Sequence, residues 1–346
     1  MTGGGRIRSA APTSAATLER AANVAIPLLD ALPVLTISRD ALLDAVRRGA
    51  SAAEVAEAIE TGPNLALAVL RLAARGSRGS EIATVMDAVE ELPAGTLAAL
   101  ADSVPTFDPL DGHGGWSGPP ARFRLHALTV RRIAERIALR LGPREVDACI
   151  TLALIHDVGK LALHGLGADP SAFDSPAMSP EQRIAAERAE LGTDHAAIGA
   201  ALARRWHLSE ELASGVEHHH EATSGPPAVV RIADMLAHYA SERTIDLEVL
   251  VRTAEGAGVD RDLLSTIMYE LPQALPVRGR REDCPLSERE LEILRRLAAG
   301  MVAKQIASDL DISPSTVRNH LNRIYKRLEV YDRAQAVLLA TERGWL

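Results

Sequence analysis

The chain has 346 residues, 47% of them apolar and 24% charged, enough for two or three ordinary domains; this excludes global disorder and a disulfide-stapled miniprotein. Aromatic residues make up 3% while Ala, Leu and Arg abound, which favours helices over sheets, and two cysteines, Cys149 and Cys284, are too few for a disulfide framework or a cysteine-based zinc site. The net charge of −8 excludes a globally basic nucleic-acid coat, no apolar run reaches the ~18–20 residues of a membrane span, and the N-terminus lacks the apolar core of a signal peptide, so a cytoplasmic protein without a membrane partner is expected.

In chain order, residues 1–20 read as a flexible tail. From 22 to 101, apolar residues recur three and four apart in SRDALLDAVRRGA, SAAEVAEAIETGP and NLALAVLRLAARG, with Ser38 and Ser51 as expected N-caps and Gly49, Gly62 and Gly76 as stops. Residues 102–121 collect Pro, Gly, Asp and Ser and read as a loop. Helical spacing resumes over 122–272, with a break at GADPSAFDSPAMSP and helices expected near 181–192, 195–206, 208–219 and twice within 246–272. Residues 273–285 combine Pro with Arg and acids and read as a linker. Four short helices follow, near 287–299, 302–310, 314–328 and 333–342. The fold class expected is all-α in two parts, a helical domain over 22–272 (22–101 and 122–272) and a four-helix domain over 286–346.

Charge and histidine are unevenly spread. Residues 281–346 hold 11 Lys+Arg against 10 Asp+Glu, so the acidity lies in the remainder, and ten of the eleven histidines fall between His113 and His238. Within the apolar helices of that region stand His126, His156, Asp157, Lys160, His195, His219, His220 and Asp234. Imidazole and carboxylate suit divalent transition metals, and a carboxylate in LALIHDVGKLAL is costly to bury unless paired or metal-bound. Lys160, three residues after Asp157, shares its helix face and could hold a phosphate oxygen. Such a set supports metal-assisted phosphoester hydrolysis, with Asp157 and Lys160 as the catalytic candidates. His113, His164 and His218 read as solvated or supporting, and His207 and His238 as packing or capping residues on helix flanks.

HALTVRRIAERIA, LALIHDVGKLAL, DHAAIGAALARRWHLSEELASGVEHHHE and VVRIADMLAHYA resemble the successive motifs of the HD superfamily of metal-dependent phosphohydrolases, and within it the HDOD branch, over about residues 22–272. The resemblance implies a signalling or interaction module, since HDOD domains typically look like HD domains that have lost metal ligands. This sequence departs from that pattern by keeping a candidate at each metal position: His126, His156, Asp157, His195, His219, His220 and Asp234. One or two divalent ions (Fe, Mn, Zn or similar) and a nucleotide or other phosphorylated ligand are expected from it. The chain reads HHEATSGPPAVV where the cyclic-di-GMP-cleaving HD-GYP branch has a DG-x-GYP signature, so that activity is not inherited by resemblance.

In PLSERELEILRRLAAGMVAKQIASDLDISPSTVRNHLNRIYKRL, Ser287 and Glu290 have capping-box spacing, Gly300 stops the first helix, and Ser313 or Ser315 caps a third. Between Ser313 and Leu328 there are four cations, Arg318, Arg323, Lys326 and Arg327, and no acid, while Val317, Leu321, Ile324 and Leu328 repeat at core spacing. Two helices around a tight turn with a cationic second helix are the layout of a helix-turn-helix reader of double-stranded DNA. From Leu286 to Leu346 the segment is similar to the LuxR-type (GerE) DNA-binding domain. That resemblance implies DNA contacts from Lys304, Thr316, Val317, Arg318, His320 and Lys326, and a homodimer, while position near the helix start adds Asn319 for base edges and charge adds Arg323 for phosphates. The expected function is a transcriptional regulator whose metal-binding module controls the reader. A metal-dependent phosphohydrolase coupled to DNA binding, and a pure interaction platform, are the alternatives.

Overall fold

The computed structural model describes residues 15–30, 32–76, 82–108, 119–142, 145–165, 175–241, 243–274, 285–298, 301, 303–310, 312–328, 330, 336–337, 340 and 345. These form helices almost throughout, in two compact units, one ending at Ile267 and one beginning at Met268. No helix among the described residues is long and apolar enough to cross a membrane.

In the first unit α1 (Ala15–Asp30) is followed by β1 (Val34–Leu35), α2 (Thr36–Arg48), α3 (Ala52–Ile59), α4 (Pro63–Gly76), α5 (Val85–Glu91), α6 (Ala94–Ser103) and β2 (Thr106–Phe107). The expected tail therefore gives up residues 15–20 to α1, whose Ala21, Ala22, Ala25 and Leu29 are buried; residues 1–14 lie outside the described residues. The two strands form a parallel pair, Val34 with Thr106 and Leu35 with Phe107, a feature the all-helical reading missed because two residues have no periodicity to read. That pairing holds the chain extended up to Leu35, so α2 starts at Thr36 and Ser38 is a buried residue within the helix, not its cap. Ser51 does cap α3, in a reciprocal box with Glu54, and Gly49 ends α2 at φ +64°, a left-handed conformation suited to glycine.

The second half of the unit comprises α7 (Pro119–Leu141), α8 (Val146–Ile155), α9 (Val158–Gly165), α10 (Pro180–Leu191), α11 (His195–Arg205), α12 (Glu210–His218), α13 (Gly225–Ala240) and α14 (Leu247–Gly256), and α15 (Arg261–Ala274) begins in it and runs across the boundary at Ile267. Helices α7, α8 and α13 pack together, α9 packs on α11, and α1 lies against both α9 and α11. The apolar faces of α8 and α13, among them Ile150, Leu154, Val230, Ile232 and Met235, fill this core. The halves are joined by Arg131, which donates to Glu60 at 2.9 Å, and by the Val85 amide, which donates to Thr151 Oγ1 at 2.9 Å.

Gly159 decides how closely α9 and α11 approach. A Cβ there would land on the His195 carbonyl and within 2.8 Å of the Gly199 amide, so only glycine lets the two helices cross at this distance.

The second unit contains α16 (Glu288–Ala298), α17 (Ala303–Asp309) and α18 (Pro314–Leu328) around a core that includes Ile293, Leu294, Leu297, Ile306, Val317, Ile324, Leu328, Ala336 and Ala340. The expected cap Gly300, most of the expected helix at 333–342 and residues 275–284 of the expected linker lie outside the described residues.

Candidate metal centre and nucleic-acid interface

The fold brings all seven predicted metal-site residues together. His126 comes from α7, His156 and Asp157 from the break between α8 and α9, His195 from the first position of α11, His219 and His220 from the end of α12, and Asp234 from α13. The His-Asp pair is not inside one continuous helix as expected: α8 ends at Ile155, and the turn lets adjacent side chains point to one place. Asp194 sets the start of α11, its carboxylate accepting from the Ala197 amide at 2.8 Å and from Arg188 at 2.5 Å.

Two clusters result, Asp157 with His195, His219 and His220, and His126 with His156 and Asp234; within each the donor atoms lie within 4.8 Å of one another. Asp157 also reaches toward the second cluster, its Oδ2 lying 3.5 Å from His126 Nε2 and 3.6 Å from His156 Nε2. His126 Nε2 is 2.8 Å from Asp234 Oδ1. Lys160, on the first turn of α9, donates to Asp157 Oδ2 at 2.5 Å. With His126 its side chain is among the more exposed of the group, 25% and 18% against 3% for Asp157, so ligand access is on their side.

Three of the histidines are wired alike. His156 Nδ1 donates to the Ala153 carbonyl at 2.8 Å, His219 Nδ1 to the Val216 carbonyl at 2.7 Å, and His195 Nδ1 to Glu187 Oε2 at 2.7 Å. Each outward bond commits Nδ1 as donor; at His156 and His219 it turns the Nε2 lone pair inward, and at His195 it turns Nε2 toward Asp157. Inside, His156 Nε2, His219 Nε2, Asp157 Oδ1 and Asp234 Oδ2 are buried without a hydrogen-bond partner. Four converging, unsatisfied acceptors are costly, and a shared divalent ion is the partner that would satisfy them together.

Electrostatics agree. Burial holds His156 below its usual range, and burial with the neighbouring His156 and His195 pushes His219 down to about 3. Burial opposes ionisation of Asp157 and Asp234, but Lys160 and His156 at the first, and His238 and His126 at the second, outweigh it and hold both carboxyls well below their ordinary value. Neutral imidazoles and ionised carboxylates are the states that bind metal. At His195 burial is outweighed by the Glu187 and Asp157 carboxylates, which lift the imidazolium to about 9, so an ion there must displace a proton.

Two residues of the site escaped the sequence reading. Glu187 is buried and accepts from both the His195 amide, at 2.9 Å, and its ring; nothing in its helical spacing marks it. His238, expected to pack or cap on a helix flank, is buried with Nε2 3.3 Å from Asp234 Oδ1, and its i,i+4 spacing from Asp234 was the available signal. His207 is exposed at φ +59° just past α11 and His218 is exposed; His113 and the His164 side chain lie outside the described residues.

In the second unit, Ser287 and Glu290 form the expected box, with the Ser287 amide donating to Glu290 at 2.9 Å, and Ser313 accepts from the Thr316 amide at 3.1 Å to start α18. Arg318, Asn319, Arg323 and Lys326 are exposed on α18 and Lys304 on α17; Thr316 and His320 are half-buried. Val317 is corrected: it is fully buried in the core of this unit, so it seats the helix and cannot face DNA, as its core spacing required. Arg327 donates to the buried Glu290 at 2.6 Å and ties α18 to α16.

Comparison with known proteins accords with both units. The HDOD domain model matches residues 32–222, more than half the chain, and the model of bacterial regulatory proteins of the luxR family matches residues 284–340. The chain belongs to the HDOD family. It is an HDOD domain joined to a LuxR-type helix-turn-helix domain, and the HDOD match ends before Asp234 and His238. The chain is 43% identical over 64 residues to the transcriptional regulatory protein DesR of Bacillus subtilis (18% of this chain, 32% of that protein), and 50% identical over 61 residues to the probable transcriptional regulatory protein NarL of Mycobacterium tuberculosis (18% and 28%). It spans about a third of the length of these curated relatives. A virulence factor from Campylobacter jejuni shares the fold at TM-score 0.52, with 18% identity over 72% of this chain and 94% of that one; the MmoQ response regulator of Methylococcus capsulatus does so at TM-score 0.50, with 22% identity over 68% and 94%.

Proposed function

We propose that the protein is a transcriptional regulator in which the HDOD domain binds one or two divalent ions and, through them, a phosphorylated small molecule, and that this occupancy controls DNA binding by the LuxR-type domain. The observation that carries the reading is the set of buried, inward-facing acceptors in the first unit of a chain whose second unit exposes the basic face of α18. His126, His156, Asp157, His195, His219, His220 and Asp234 would hold the ions, and Lys160 and His126, the more exposed of the group, would meet an incoming anionic ligand. On the DNA side, Arg318 and Asn319 near the start of α18 would reach base edges, and Arg323, Lys326 and Lys304 would meet phosphates. Thr316 and His320 flank that face. The regulator would act as a homodimer in the cytoplasm.

A second reading is supported by the completeness of the ligand set: turnover of a nucleotide. Bound ions would lower the pKa of water and polarise a phosphoryl group. Asp157 would orient the ions, and Lys160, held against Asp157, would steady the phosphate.

Elemental analysis of the purified full chain, with DNA binding measured beside it, tests the proposal. Stoichiometric metal that is lost in Asp157→Ala, and sequence-selective DNA binding weakened about 10–100-fold in Arg318→Ala, are expected. Metal-free wild-type protein, or unchanged DNA affinity in Arg318→Ala, would contradict it. Release of phosphate from nucleotides by wild type and not by Lys160→Ala would select the second reading.

A further inference from the structure

His238 stands outside the seven-residue set, yet its surroundings are those of a ligand. Its side chain is 6% exposed, and Nε2 lies 3.3 Å from Asp234 Oδ1, the same oxygen that His126 Nε2 approaches at 2.8 Å. Its ring is 4.9 Å from that of His126. The approach to Asp234 is not a hydrogen bond, and Nε2 is buried without a partner, as are the inward nitrogens of His156 and His219. Position i+4 on α13 puts His238 and Asp234 on one face of the helix.

We propose that His238 is a fourth protein ligand of the Asp234 half of the metal centre. This rests on the metal-binding reading above. With it, Asp234, His126, His156 and His238 would supply one carboxylate and three imidazoles, the same donor types as Asp157, His195, His219 and His220 in the other half, although the His238 nitrogen stands just outside the 4.8 Å grouping of His126, His156 and Asp234 and must close on an ion. Three imidazoles and one carboxylate favour borderline first-row ions over magnesium and calcium, which take oxygen ligands. The pairing also gives each half the same ligand charge, so the centre takes two like ions and not one transition ion beside a magnesium.

The competing role for His238 is structural, a ring N–H that steadies the Asp234 carboxylate. Glutamine can supply such an N–H but not an imidazole ligand, so His238→Gln separates the two. The full chain, stripped with chelator, is titrated with cobalt(II) alone and followed by visible d–d absorption. Wild type is expected to bind two equivalents. His238→Ala and His238→Gln are both expected to weaken one equivalent by about tenfold or more and to change the visible band of that equivalent only, with the far-ultraviolet circular dichroism of the stripped proteins unchanged. Should the alanine variant not fold, the glutamine variant carries the comparison. A wild-type isotherm and spectrum in His238→Gln would overturn the ligand role. Two equivalents of magnesium competing with cobalt at similar concentrations would overturn the selectivity. Wild type that takes up no cobalt would overturn the metal-binding reading itself, and the inference with it.

Discussion

Glu187 shows how one carboxylate behind a histidine sets what the histidine can do. By accepting from both the amide and the ring of His195, it fixes the ring orientation that turns Nε2 toward Asp157 Oδ1 at 3.2 Å. A supporting carboxylate of this kind typically accounts for about 10–100-fold in metal affinity, so Glu187→Gln should weaken metal binding by that factor in isothermal titration while the metal-free protein keeps its helical content. Unchanged affinity would show that His195 is held by packing alone. Cys149 illustrates the opposite case, a group whose reactivity burial removes. Fully buried in α8, its thiol is pushed up to about 12 by burial and the nearby Glu145, so thiolate is scarce below that pH. Iodoacetamide at pH 8 should leave the Cys149 peptide unmodified in native protein and label it fully after denaturation, as read by mass spectrometry.

Single elements turn on equally local features. Gly159 sits where α9 meets the first turns of α11, and a methyl group there collides with the His195 carbonyl. Gly159→Ala should destabilise the first unit by about 3 kcal/mol or more and displace Asp157 from His195, a loss measurable together as a lowered denaturation midpoint and a lost metal equivalent. In α16, burial alone would raise the Glu290 carboxyl, but the Ser287 bonds and Arg327 outweigh it and hold it below its ordinary value. A depressed carboxyl contributes stability that is fully present above its unfolded value and is lost as pH falls through the folded one. The second unit should therefore lose stability on acidification below about pH 4.5. Glu290→Gln should cost about 1–3 kcal/mol at neutral pH and flatten that acid limb, as followed by pH-dependent denaturation.

These elements were unequally legible from sequence. Ser51, Ser287 and the bounds of α18 could be read because caps and apolar periodicity are local. The start of α2 could not, because it depends on a strand pair formed with residues some seventy positions away. That the seven candidate metal-site residues would cluster could be read from chemistry in an apolar setting. Glu187 could not, since a carboxylate on an amphipathic helix looks solvated until the fold buries it against His195. Val317 shows a resemblance and a periodicity in conflict, and the packing follows the periodicity.

At the scale of the whole molecule, the mean charge of −8 hides an acidic, histidine-rich unit and a reader helix that carries four cations and no acid between Ser313 and Leu328. Net charge averages over parts that do different work, whereas DNA affinity depends on the local field of one helix. The two units share a chain, and the proposed regulation requires that metal occupancy of one alter DNA binding by the other. Fluorescence anisotropy of the full chain on a selected DNA duplex, at fixed salt, with metal-loaded and chelator-stripped protein, tests this directly. Affinities of the two forms should differ by about 5–150-fold, the range of ordinary allosteric coupling, a difference reversed on returning the metal and absent in Asp157→Ala. Equal affinities of the loaded and stripped wild-type protein would contradict it.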